Sequence, residues 1–312
     1  MSTRTLAHPV AASAPPAGGH KLRLALAYAA ALAMIAALAV YGADYYTLPI
    51  EQRPFSSKYA LLRPAGVIGI KLGILGLGMF LVIFLYPLRK RWGWLARQGS
   101  TRNWMDFHVL LGMAAPFVIA FHASFKFRGF AGMAFWIMTA VALSGVIGRY
   151  LYGQIPRRVT AAELTLKEIR EQQEKYTAEL AEQHAIRQSD LQALFRVPTE
   201  AEVARMNVVY ALVYMICLDL LRPWRIARLR RSTLSFGQKL LTFGGLRRTG
   251  NWEVERVVNI AREQAALAKR LAFLSRAQQV FHLWHVVHKP FSYSFAVLAL
   301  VHIGVVWMLG YL

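Results

Sequence analysis

The chain has 312 residues, of which 56% are hydrophobic and 17% charged, so it is more apolar than a soluble domain of this size. A formal net charge of +21 raises the question of nucleic acid, but the basic residues flank apolar runs and no nucleic-acid motif accompanies them. They read as topology signals and contacts with anionic membrane lipid, and no nucleic-acid partner is expected. A single cysteine, Cys217, excludes intrachain disulfides and zinc sites of the Cys-x-x-Cys type.

The opening segment, residues 1–21, is rich in Ala, Pro and Gly and reads as a disordered tail. Four apolar runs follow, at 24–43, 65–87, 105–124 and 131–152, and a fifth occupies 289–311. Each is long enough to cross a bilayer, and the first is longer than a signal-peptide core, so it reads as a retained anchor. The loop "RKRWGWLARQGSTR" carries Arg89, Lys90, Arg91, Arg97 and Arg102 with no acid, which assigns it to the cytoplasm. Arg157 and Arg158, after the fourth run, repeat the signal. The N-terminus then lies inside, and the expected location is a bacterial inner membrane.

Residues 206–221 are short for a span and include Asp219. Were they to cross, residues 222–285, with thirteen Lys or Arg against three acids, would lie outside, against the positive-inside rule. An interfacial or buried amphipathic helix is the preferred reading. Residues 153–285 then form one cytoplasmic insert, with a long helix over 161–195, a turn-like segment over 234–251 and a basic amphipathic helix leading into the last run. No glycine fingerprint for a nucleotide is present. The expected fold class is an all-α integral membrane protein, a bundle of about five transmembrane helices with a large helical insert. Its parts are the tail (1–21), four helices (22–152), the insert (153–285) and a closing helix (286–312).

Two of the runs share a pattern. "HVLLGMAAPFVIAFH" places His108 and His122 fourteen residues apart, and "HKPFSYSFAVLALVH" repeats the interval with His288 and His302. Fourteen helical residues rise about 21 Å and return to within about 40° of the same face. Each helix thus presents one imidazole near each side of the hydrocarbon layer, and burying such groups is costly enough to suggest function. Haem b explains the arrangement economically, because its iron accepts an axial imidazole from each side. Two haem b groups are expected, with these four histidines as ligands to haem iron. With five spans, His108 pairs with His288 and His122 with His302; if 206–221 crossed, the pairs would be His108 with His302 and His122 with His288. His285 is the alternative ligand to His288, but its interval to His302 falls about 100° off the stripe. His8, His20 and His184 lie in the tail or the insert and need no role.

Four basic residues are candidate contacts for a haem propionate or a quinone. Lys71 lies about 9 Å into its run, Lys126 and Arg128 at the outer end of the third run, and Arg149 at the inner end of the fourth. The bland reading of the last three is interfacial snorkelling. Gly112, one turn after His108, either lets a macrocycle approach the backbone or serves helix packing, and Gly69, Gly73, Gly76 and Gly78 read first as helix contacts. Trp104, Tyr150, Tyr152, Trp307 and Tyr311 fit an aromatic belt.

The paired spacing resembles the transmembrane dihaem b-type cytochromes. Within these it is similar to the ferric-reductase-like and NADPH-oxidase-like membrane domain and to respiratory cytochrome b cores. "HKPFSYSFAVLALVH" especially resembles the second ligand helix of the reductase group, and the likeness covers the second to fifth runs. It implies a helical bundle that moves electrons across a bilayer, as the electron-transfer subunit of an oxidoreductase complex. The chain ends at Leu312 without a flavin and nicotinamide domain, so electrons are expected to come from or go to quinol or an iron–sulfur or flavin partner subunit. Two other classes compete: a metal or proton transporter using the same histidines, and a membrane scaffold or sensor acting through its cytoplasmic helices. A transporter would gather several ligands and carboxylates near the midplane, which the sequence does not do.

Overall fold

The computed structural model describes residues 18–89, 91–155, 171, 174–176, 178, 179, 197–231, 247, 248 and 250–310. Among these the regular structure is helical, with no strand. The helices are α1 (Gly18–Tyr46), α2 (Tyr59–Leu62), α3 (Val67–Arg89), α4 (Gly93–Ala96), α5 (Thr101–His122), α6 (Gly129–Gln154), α7 (Glu200–Arg205), α8 (Val208–Arg231) and α9 (Trp252–Met308). Five segments are long and apolar enough to cross a membrane: Gly19–Tyr46, Tyr59–Arg89, Thr101–His122, Gly129–Gln154 and Trp252–Met308. Residues 208–221 of the ambiguous stretch fall in α8, which is not one of the five.

Two element boundaries differ from those expected, and two further readings lie mostly outside the described residues. The first helix starts at Gly18, inside the stretch read as tail, while residues 1–17 lie outside the described residues. The amphipathic helix and the last apolar run are one continuous helix of 57 residues that passes through Pro290. At about 1.5 Å per residue it is far longer than a hydrocarbon layer of about 30 Å, so only a part such as its apolar C-terminal third can be a span. The long helix read over 161–195 and the turn over 234–251 lie mostly outside the described residues.

The chain divides into two units, residues 1–146 with 289–312, and residues 147–288. The first is organised on the antiparallel pair α3 and α5. Leu72 and Met79 of α3 pack on Ala114, Ala115, Val118 and Phe121 of α5, joined by Phe135 and Met138 of α6 and Phe295 of α9. Phe80 and Phe295 lie ring against ring at 4.6 Å. The α3 glycines admit the close approach: a Cβ on Gly76 would strike the Ile119 side chain.

A buried arginine fastens each end of this pair. Arg53, in the loop after α1, donates to the carbonyls of Leu48 (3.0 Å), Tyr46 (2.9 Å) and Ser124 (2.5 Å) and lies over the Tyr45 ring. Its bond to Ser124 holds the end of α5, where Ser124 and Phe125 both take left-handed backbone (φ 48° and 57°). That conformation is costly for residues with a side chain. The Ser124 hydroxyl donates to the Leu62 carbonyl at 2.7 Å, which secures the same turn. At the other end Arg89 donates to Thr101 Oγ1 (2.9 Å) and to the carbonyls of Ala96 (2.8 Å) and Gly99 (2.7 Å). Arg89, read from sequence as a topology signal, is thus also a structural clamp.

In the second unit α8 packs on α9 through Ala211, Met215 and Leu218 against Ala272, Phe273 and Ala277, with Leu151 and Val203 completing the core. Thr199 and Glu202 form a reciprocal capping box that starts α7. Arg230 pairs with Glu255 at 2.8 Å.

Removing the Arg53 side chain strands the Ser124 carbonyl at the end of α5 and the Tyr46 and Leu48 carbonyls at the end of α1. The Arg53→Ala variant is expected to lose about 2–4 kcal/mol of stability, and Arg53→Lys a smaller amount. Thermal unfolding of the detergent-purified variants, read by circular dichroism, measures the difference; an unchanged midpoint for Arg53→Ala would contradict the clamp.

Candidate functional site

The two α5 histidines meet the backbone of α3. His122 Nδ1 lies 2.8 Å from the Gly69 carbonyl oxygen, and His108 Nδ1 lies 3.2 Å from that of Ile83. A carbonyl only accepts, so each ring carries its proton on Nδ1 and leaves the Nε2 lone pair for another partner. This is the orientation in which histidine ligates a metal, with the second ring nitrogen donating to a backbone carbonyl.

The α3 sequence explains why those two carbonyls are reachable. Pro87 has no N–H, so the Ile83 carbonyl four residues earlier lacks its usual helical donor and can accept from His108. At the other level Gly73 has no side chain. A Cβ there would stand 2.8 Å from Cε1 and 3.0 Å from Nδ1 of His122, so only glycine lets the ring reach the Gly69 carbonyl. Tyr86, one residue before Pro87, places its ring 5.2 Å from that of His108.

His302 of α9 faces His122, with ring centroids 6.5 Å apart and planes at 73°. Two imidazoles ligating one metal from opposite sides, each with its nitrogen about 2.0–2.1 Å from the metal, have centroids roughly 6–6.5 Å apart. The separation is thus of the length that two imidazoles on one metal would have. His122 and His302 are the partners in the reading with five spans, and their rings are neighbours here.

His108 belongs to the first unit and His288 ends the second. In the second unit Trp284 lies against His288 at 4.6 Å and occupies space that a side chain on Gly148 would fill. His285, the alternative ligand, directs Nδ1 to the Phe281 carbonyl of its own helix at 3.0 Å and sits edge-on to the Phe281 and Trp284 rings. His282 is exposed. Lys71, Lys126 and Arg128 are exposed, Arg149 is half-buried, and a Cβ on Gly112 would meet open space. Among the described residues, no three His, Cys, Asp or Glu side chains gather as a metal-binding group.

Sequence reasoning missed several residues. His20, given no role, has Nε2 3.1 Å from Oδ2 of the buried Asp106, two residues before His108 in α5. Trp104, assigned to an aromatic belt, donates its indole N–H to the Gln98 carbonyl at 2.6 Å and lies beside Arg89. Tyr150, assigned likewise, directs its hydroxyl to Asp219 at 2.6 Å. The signals were present as an acid near the start of α5 and another inside the apolar part of α8, each of which needs a partner when buried.

Comparison with protein-family models, with curated proteins and with solved structures finds no match.

A side chain at Gly73 must push the His122 ring off the Gly69 carbonyl. Gly73→Ala is expected to cost about 1–3 kcal/mol. Gly78→Ala, where a Cβ meets nothing within 4 Å, is expected to be neutral or to gain up to about 1 kcal/mol from helix propensity. Thermal unfolding of the two variants side by side tests this, and equal midpoints would refute the assignment of Gly73.

Proposed function

We propose that the chain is a membrane-bound dihaem b-type cytochrome, the electron-transfer subunit of an oxidoreductase complex in a bacterial inner membrane, with its N-terminus cytoplasmic. The observation that carries this reading is the geometry at His122, whose Nδ1 is spent on Gly69 while its ring stands 6.5 Å from His302. His122 and His302 would hold one haem at the outer level; His108 and His288 would hold the second at the inner level.

Bound haem supplies a one-electron couple at each level. The protein's part is positional and electrostatic. The bonds from Nδ1 to the α3 carbonyls fix the tautomer, set the ring planes and raise the basicity of Nε2. Val118 and Phe121, buried close to His122 on α5, would keep water from the outer ligands. Lys126 and Arg128, just beyond His122, are the proposed propionate contacts at the outer level and Arg149 at the inner one. Lys71 is a candidate contact for a propionate or a quinone. Electrons would pass to or from quinol or an iron–sulfur or flavin partner subunit.

The test is a dithionite-reduced minus oxidised spectrum of detergent-purified chain from haem-supplied cells, with extracted haem quantified. Two b-type haems per chain are expected, falling to about one in His122→Ala or His302→Ala. A colourless protein would refute the proposal. Loss of haem from His285→Ala but not His288→Ala would reassign the inner ligand.

A further inference from the structure

The second unit contains a cleft between α8 and α9 that the proposed function does not use. It is lined by Asp219, Arg222, Arg225, Arg262 and Lys269, with Leu218, Ile226 and Ala266 among its apolar walls. Four cationic side chains against one carboxylate leave a formal surplus of three positive charges among the lining residues. Glu263 and Arg270 also act on Arg222, and their charges cancel.

The acid is already committed. Asp219 Oδ2 accepts from Lys269 Nζ at 2.5 Å and from the Tyr150 hydroxyl at 2.6 Å, so Lys269 and Asp219 neutralise each other. Arg222 spends one nitrogen on the Arg262 backbone carbonyl at 2.9 Å, which orients its guanidinium at the cleft. Arg222, Arg225 and the exposed Arg262 line the same cleft, and the lining holds no further carboxylate to oppose them. Burial, together with the like charge of Arg262, draws Arg222 below the ordinary guanidinium value, a cost that a bound anion would relieve.

Several guanidinium forks lining one cleft match a tetrahedral oxyanion better than a single carboxylate, because each fork can engage two oxygens at once. We infer that this cleft is a binding site for a phosphate group, carried either by an anionic phospholipid headgroup or by free phosphate. Both sources present the same oxygens to Arg222, Arg225 and Arg262. Basic pockets on the cytoplasmic side of membrane proteins bind anionic headgroups through the same chemistry.

The experiment uses the full chain in a neutral detergent and follows its thermal midpoint. The additions are sodium phosphate against sodium chloride of equal ionic strength, and dioctanoyl phosphatidylglycerol against dioctanoyl phosphatidylcholine. A saturable rise of about 5 °C is expected at concentrations well above the dissociation constant. A rise with phosphatidylglycerol alone assigns the site to lipid, and a rise with inorganic phosphate as well assigns it to the phosphate group itself. The rise should vanish in Arg225→Gln/Arg262→Gln, which keeps the backbone carbonyl that orients Arg222. It should persist in Arg91→Gln/Arg97→Gln, an equal loss of charge at exposed positions in the first unit. A rise that chloride reproduces, one that survives in the cleft variant, or no rise with either phosphate source would overturn the inference.

Discussion

The first unit depends on the register of α3 against α5. Two carbonyls fourteen residues apart on α3, at Gly69 and Ile83, meet two imidazoles fourteen residues apart on α5, at His122 and His108. The spacings match because the helices run antiparallel with one fixed offset. A single helix face thereby orients both rings. The cost falls on α3, which forgoes a side chain at Gly73 and a backbone donor at Pro87. Both residues lower helix propensity in an isolated helix. Here the packing of Leu72 and Met79 on α5 offsets that loss, and the two breaks in regularity become the points where the histidines dock.

The arginines explain how the offset is kept. Helix pairs of small and apolar residues can slide by a turn at modest cost, since apolar contacts have little direction. Hydrogen bonds from a guanidinium to backbone carbonyls do have direction. Arg53 ties the end of α5 to the loop after α1, and Arg89 ties the end of α3 to the start of α5. Each clamp sits within a few residues of the level it protects: Ser124, held by Arg53, is two residues from His122, and Thr101, held by Arg89, is seven from His108. The left-handed pair Ser124–Phe125 stops α5 abruptly, so the second histidine lies in a terminus that is held rather than frayed.

Much of this was legible in the sequence, and what was not has a physical reason. Apolar length and the absence of charge announced the five long segments, because crossing a bilayer imposes length and composition and little else. The histidine intervals gave the stripe on α5 directly. Pro87 and Gly73 were visible too, but their meaning rests on which carbonyl each exposes to a neighbouring helix. That is a property of pairing, which one-dimensional spacing does not carry. Arg89 was counted as one positive charge among five in its loop; its burial follows from the return of the chain at Gly99 and Thr101. His20 was set aside with the tail because the helix was expected to begin later, and with it the bond to Asp106 was lost. The insert's last helix and the final apolar run were read as separate parts because one is basic and amphipathic and the other apolar, yet one helix carries both.

The discontinuity of the first unit governs the order in which it can be built. Its closing segment, residues 289–312, follows the whole of the second unit in the chain. At a synthesis rate of about 5–20 residues per second, the α3–α5 pair exists for roughly ten to thirty seconds before that segment emerges. During that interval His122 is oriented by Gly69 but has no ring opposite it. Phe80 waits likewise for Phe295. The second unit, by contrast, is continuous in sequence and can fold as its residues appear. The pairing of His122 with His302 is therefore completed only after the whole second unit has been made.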